Sequence, residues 1–358
     1  MFQQYVNKKL QKSLLLSALG FLTAACFSCA ADLTEDLKGY FIRQDTFLYV
    51  YLNAEKVQIS KIYASVDKYL IKDNYKGYCR LRRSAEKIGI TEKDISGIYF
   101  SSSLKNVRAT SDIKQESVYY LSGIVLKKDI TTDKLLAIMR ESLKNEPSVN
   151  ICKIKQSNIE FIQIKTGPDS VYISVPQSKL VLTGSDLSNL VVLMDSYKTQ
   201  KAKSSSSNMS KLLSQISSSA SLYAVVALPP FMTKEFQLVN SKVKHEEQED
   251  VRYKMNNAIK NLNGLTLETK TDDALTLKIN TFFKTEEGAK SFNELANQFI
   301  PLLKFQLFMM VQNSTLPVLN TITAGVKNKS VSLSGILTSD DFVSINQMIK
   351  NNDKSAGF

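Results

Sequence analysis

Residues Val149–Thr183 read VNICKIKQSNIEFIQIKTGPDSVYISVPQSKLVLT. Three short runs rich in β-branched and aromatic residues, Val149–Lys155, Glu160–Lys165 and Val171–Val175, are separated by turn residues, which predicts three strands. Gly167-Pro168-Asp169 supplies a turn, because glycine admits left-handed backbone and proline presets φ. Lys179–Thr183 predicts a fourth strand and Leu187–Tyr197 a helix.

Reading toward the N-terminus, Phe47–Leu52 (FLYVYL) predicts a buried strand. Val57, Ile59, Ile62, Val66, Tyr69 and Leu70 fall near helical spacing, and Cys79–Ile88 reads as a second helical piece. Ile95–Ser102 and Ser117–Lys127 form a predicted hairpin. Thr131 or Thr132 can cap the helix that follows, whose apolar face is Leu135, Leu136, Met139 and Leu143.

The second half repeats this order. Leu222–Leu228 predicts a strand stopped by Pro229-Pro230, followed by helical segments Phe231–Leu238 and Val251–Leu262. Gly264–Thr269 and Ala274–Phe283 predict a hairpin around Thr271-Asp272-Asp273. Thr285, with Glu286 and Glu287 in the first turn, starts a long helix. Thr321–Lys327 and Ser330–Leu337 form a last hairpin. Ser339, Asp340 and Asp341 are candidate caps for a final helix. Residues 180–184 (LVLTG) echo 331–335 (VSLSG). The fold class expected is therefore α+β, with two duplicated domains. Each would be an antiparallel sheet with helices on one face, in a split βαβ-like arrangement. Lys198–Asn208 (KTQKAKSSSSN) has linker composition. It separates a domain at 32–197 from one at 209–352, and residues 353–358 form a tail.

The N-terminus has the order of a secretory signal: Lys8, Lys9 and Lys12, the uncharged run Leu14–Cys26, then small residues before Asp32. Residues 1–31 are assigned to it. The apolar run is shorter than the roughly 20 residues of a membrane span. Leu22-Thr23-Ala24-Ala25-Cys26 resembles a lipobox with Thr23 where leucine is usual, so Cys26 is a candidate lipidation site. The location expected is exported, periplasmic or extracellular. Beyond the signal only Cys79 and Cys152 remain, a candidate disulfide with two free thiols as the alternative.

The 358 residues carry 46 Lys+Arg against 34 Asp+Glu, one histidine and no tryptophan. Losing the signal takes the +12 charge to +9, since Lys8, Lys9 and Lys12 leave with no acid. Only seven of the basic residues are arginine, which disfavours a dedicated nucleic-acid binder. Association with an anionic envelope surface remains open to such a charge. Phosphate-binding glycine loops, paired-cysteine metal motifs and nucleophile elbows are absent from the sequence. His245 stands in a charged run, Lys244–Asp250, that reads as a solvated helix. No catalytic, cofactor or metal residue is assigned. Paired carboxylates would be the chemistry of a rival reading, an envelope hydrolase.

Two surfaces are singled out. Arg80, Arg83 and Lys87 can line one helical face as an anion patch. Phe299–Val311 (FIPLLKFQLFMMV) is apolar nearly all round, which implies a helix buried on all sides, with Pro301 bending it. The alternative is an apolar groove formed by Phe299, Leu302, Leu303, Phe305, Phe308 and Met309. The expected function is a non-enzymatic binding or structural protein of the envelope, partnered by a protein, a lipid or an envelope polymer.

Overall fold

The computed structural model describes residues 34–66, 83, 85–87, 89–104, 118–199, 207–229, 251–310 and 317–344. Helices and antiparallel strands make the chain α+β, and its residues divide into two compact units. Residues 60–66 belong to the second unit although most of the first unit follows them in sequence.

The first unit begins with α1 (Thr34–Phe41), β1 (Thr46–Asn53) and α2 (Ala54–Gln58). Asn53 caps α2 by accepting the Lys56 amide at 3.0 Å. The continuous helix expected through Val57–Leu70 is broken at residues 59–60. The next helix, α3 (Lys61–Val66), packs in the second unit. There the Lys61 ammonium lies 2.9 Å from Asp273, and the Ile62 amide donates to the Asp272 carbonyl.

Next in the first unit come β2 (Ile95–Leu104), β3 (Val118–Leu126) and α4 (Thr132–Leu143). They are followed by β4 (Val149–Gln156), β5 (Ile159–Thr166), β6 (Asp169–Gln177), β7 (Leu180–Gly184) and α5 (Leu187–Lys198). The sheet order is β1-β2-β3-β7-β6-β5-β4, antiparallel throughout. Ser157 and Asn158 both have positive φ, the geometry of a tight two-residue hairpin between β4 and β5. Thr131 and Asp186 cap α4 and α5 through the amides of Lys134 and Asn189.

Helices cover both faces of this sheet, not one. A Cβ on Gly123 would sit 2.5 Å from Phe41 Cζ, and one on Gly184 would sit 3.6 Å from Leu190 Cβ. So α1 and α5 lie on the face of Leu121 and Gly123. Helix α4 packs on β4 and β5, and its Asp133 reaches Lys153 at 2.6 Å. Cross-strand partners share a face, and the row Lys153, Ile162, Ile173, Thr183, Ser122 is the opposite one. The sequence pattern did not show this because Phe161 and Ile162, adjacent residues on opposite faces, are both fully buried.

The second unit contains α6 (Ser207–Leu213), β8 (Leu222–Ala227), α7 (Val251–Asn261), β9 (Leu262–Thr271) and β10 (Leu275–Phe283). It continues with α8 (Glu286–Met310), α9 (Val318–Thr321), β11 (Thr323–Lys327), β12 (Ser330–Leu337) and helical residues 339–344. Its sheet order is β8-β9-β10-β12-β11, again antiparallel. With β4 and β5 set aside, this is the strand path of the first unit, β1-β2-β3-β7-β6. Helix α6 approaches the face of Gly264, where a Cβ would meet Leu212 Cδ1 and the Val226 carbonyl at 2.5 Å. Helices α7 and α8 cover the other face, where Ala258, Ala289, Phe283 and Val331 form a buried cluster.

A polar network is buried in the second sheet. Asn280 Nδ2 donates to Thr266 Oγ1 at 3.1 Å and to Glu268 Oε1 at 3.2 Å. Ser332 Oγ donates to Asn280 Oδ1 at 2.7 Å, and the Ser217 amide donates to Glu268 Oε2 at 2.9 Å. Each partner satisfies the next, which keeps the desolvation cost of burial small.

Candidate functional site: an apolar helix face beside a sheet edge

Helix α8 is held firmly at its start. Thr285 Oγ1 accepts the Gly288 amide at 3.1 Å, so the predicted cap is formed. Gly288 allows close approach to α7: a Cβ there would lie 2.5 Å from Asn261 Cβ. Asn257 Nδ2 donates to Ser291 Oγ at 3.0 Å, and Lys254 pairs with Glu294 at 3.0 Å. Phe292 packs on Phe283 with ring centroids 5.5 Å apart.

The later part of α8 is different. Phe299 is 50% exposed, Leu302 56% and Phe305 63%. At spacings of three they share one side of the helix. Burial of the stretch on all sides, the expectation from its composition, is therefore not what these residues show. The side chains of Leu303, Phe308 and Met309 lie outside the described residues. Pro301 sits inside the continuous helix and removes the amide that would bond the Asn297 carbonyl.

Helix α8 packs on β10, β11 and β12. Strand β11 pairs with β12 alone among the described strands and ends the sheet. Four of its five residues are exposed, Ala324 being half-buried. Its position is fixed from both ends. Thr321 Oγ1 accepts the Ile336 amide at 2.8 Å. Asp341, fully buried, takes the Val318 amide on Oδ1 at 2.8 Å. Its Oδ2 takes the Thr338 amide at 2.7 Å and the Thr338 hydroxyl at 2.8 Å. The cap of the last helix is thus Thr338 with Asp341, and Asp340 is exposed.

The anion patch is only partly in view. Arg80 lies outside the described residues, Arg83 is exposed on a helix, and Lys87 Nζ contacts Glu141 Oε1 at 3.1 Å. Lys144 reaches the same oxygen at 3.0 Å. Hydrogen bonds from Lys144 and Lys87 hold the Glu141 carboxyl below the usual range. Glu141 therefore neutralises part of the charge that the patch would offer. Cys152 is a free thiol 3.6 Å from Gln163 Oε1, while Cys79, Cys26 and His245 lie outside the described residues. Asp272 and Asp273 occupy the β9–β10 turn. Among the described residues no three His, Cys, Asp or Glu side chains gather as a metal site. No described helix is long and apolar enough to cross a membrane.

One polar cluster was not anticipated. Arg43 Nη1 donates to Asn189 Oδ1 at 3.1 Å and lies over the Tyr119 ring. The Tyr119 hydroxyl donates to Asp45 Oδ2 at 2.8 Å. Burial, aided by that bond, pushes Tyr119 up to about 12 against the opposing Arg43 charge. The side chains mostly satisfy one another, so the cluster ties α5 to the start of β1.

No protein-family model matches the chain, and no curated protein matches it. Solved structures similar to it include TP0453 in crystal form III, at 8% identity and TM-score 0.44, covering 86% of this chain and 97% of that one. Crystal form I of TP0453 gives 6% identity and TM-score 0.44, covering 90% and 99%.

Proposed function

We propose that this chain is an exported, non-enzymatic binding protein of a bacterial cell envelope, and that the exposed face of α8 is its contact surface. The observation that carries the reading is the exposure of Phe299, Leu302 and Phe305. Each is about half exposed, so covering it fully would stabilise a complex by roughly 1 kcal/mol. Three such contacts support a modest affinity for an apolar partner. The basic, lysine-rich composition is compatible with residence near anionic envelope polymers or lipid headgroups. The leader sequence supports export, and a lipid on Cys26 would tether the protein without a membrane-spanning helix.

The test combines fractionation with a surface probe. The full chain is expressed in a bacterium, and the mature N-terminus is read by mass spectrometry. Processing near Ala31, or a lipidated Cys26, in the envelope fraction is expected. The folded product should enhance the fluorescence of 1-anilinonaphthalene-8-sulfonate, and F299D/L302D/F305D should abolish most of that signal. A product kept in the cytoplasm with an intact leader removes the envelope assignment. A probe signal that ignores the triple substitution removes α8 as the contact surface.

A further inference from the structure

The two units follow the same strand path but differ at one place. In the first unit, the helix after the third strand is α4, and the chain then adds the hairpin β4–β5 before β6. Strand β5 occupies the outer edge of β6, with Ile162 opposite Ile173 and Ile164 opposite Val171. Helix α4 packs on that hairpin and buries Leu135, Leu136 and Ile138. In the second unit, the helix after the third strand is α8, and β11 takes the place of β6. No described strand lies beyond β11. Among the described residues α8 has no such hairpin beside it, and Phe299, Leu302 and Phe305 are exposed.

One added strand would cover both features. We infer that an extended strand of a partner polypeptide adds to the free edge of β11 and covers the apolar face of α8. This rests on the reading that the α8 face is a contact surface. A sheet edge offers unpaired amides and carbonyls, so an added strand gains main-chain hydrogen bonds, while its alternate side chains meet the helix. The partner segment is about 5–8 residues long, free of proline, and apolar at alternate positions. An acidic residue near Lys327, exposed at the end of β11, complements its charge. A second copy of β11 is a poor occupant. Its exposed residues are Thr323, Gly325, Val326 and Lys327, which lack the alternating apolar row that β5 supplies beneath α4.

The probe is a fluorescein-labelled peptide with the sequence of this chain's own Val149–Thr166, titrated with the full chain and read by anisotropy. Saturable binding is expected. F299D/F305D should weaken it at least about tenfold. N-methylation of the peptide's alternate amides should abolish binding in one register and be tolerated in the other, because only every second amide faces the edge. Absence of saturable binding overturns the inference, as does equal tolerance of both methylation registers. A wild-type chain that sediments as a dimer and is made monomeric by F305D identifies a second copy as occupant and also overturns it. If the peptide fails while the sulfonate probe still depends on Phe299, Leu302 and Phe305, the contact-surface reading stands and only the strand partner falls.

Discussion

Substituting Asp341 by alanine tests how the free strand is positioned. The carboxylate is wholly buried and accepts three hydrogen bonds, from the Val318 amide, the Thr338 amide and the Thr338 hydroxyl. In D341A the hydroxyl can rotate to another acceptor, but the two amides lose their partner. An orphaned buried donor costs about 1–3 kcal/mol, and loss of the favourable charge at the helix start adds about 0.3–1 kcal/mol. The expected destabilisation is about 3–5 kcal/mol. D341N keeps one acceptor oxygen and should lose about 1.5–3 kcal/mol. D340A, at the exposed neighbour, should change stability by less than about 0.5 kcal/mol. Urea unfolding followed by circular dichroism measures all three. If D341A unfolds at the wild-type midpoint with the wild-type slope, the clasp holds nothing and the reasoning fails. Amide exchange supplies a local readout: the Val318 amide should lose protection before the centre of β10 does.

Three further outcomes follow from close contacts and buried titrating groups. G264A places a methyl group against the Val226 carbonyl and Leu212, so it should cost about 1–3 kcal/mol in chemical denaturation, whereas G325A, open on all sides, should be near neutral. Burial works to raise the Asp94 carboxyl, but the Thr91 amide and hydroxyl and the Lys128 ammonium outweigh it and hold it below its ordinary value. Its contribution is therefore present above about pH 4, the unfolded value, and is lost as pH falls through the lower folded value. D94N should flatten that part of the acid limb in a stability-versus-pH series, and an unchanged acid limb would contradict the assignment. Burial pushes Tyr120 up to about 12 from 10.0, with the Asp169 charge adding to it. The folded state then keeps this proton while the unfolded state releases it, so stability declines between about pH 10 and 12, by about 2 kcal/mol at the upper end. Absorbance at 295 nm should show Tyr120 titrating late, and Y120F should soften the alkaline loss.

Local pattern made most strands legible. The β4–β5–β6–β7 stretch alternates cleanly and is punctuated by turn residues, and its observed bounds lie close to those expected. Thr131 and Thr285 could be read as caps because capping is a local event. What failed was whatever depends on distant partners. The break at residues 59–60 reflects the docking of α3 on Asp272 and Asp273, more than 200 positions away, which periodicity cannot register. Arg43 and Asn189 are 146 positions apart, so their cluster left no spacing signal. Of the candidate caps Ser339, Asp340 and Asp341, Asp341 does take part, but its partner Thr338 is not marked by the pattern, since adjacent polar residues look alike until one is buried. At α8 the composition reads as apolar, but composition cannot reveal that Phe299, Leu302 and Phe305 are left exposed. The comparison of two strand paths, available only in three dimensions, shows that among the described residues no strand follows β11 as β5 follows β6.

The Thr266–Glu268–Asn280–Ser332 network has a consequence for how the second sheet assembles. An apolar interface tolerates sliding by two residues, since the same faces stay buried and one aliphatic contact replaces another. A chain of named donors and acceptors spanning three adjacent strands does not. A slip of β10 that brings Asn280 opposite Gly264 would take it away from Thr266 and leave the Glu268 carboxylate in the interior without the Asn280 amide, whereas β12, with Ser330, Ser332 and Ser334 at alternate positions, offers Asn280 a hydroxyl in neighbouring registers too. The penalty falls on misaligned pairings and spares the native one, so the network proofreads alignment during folding.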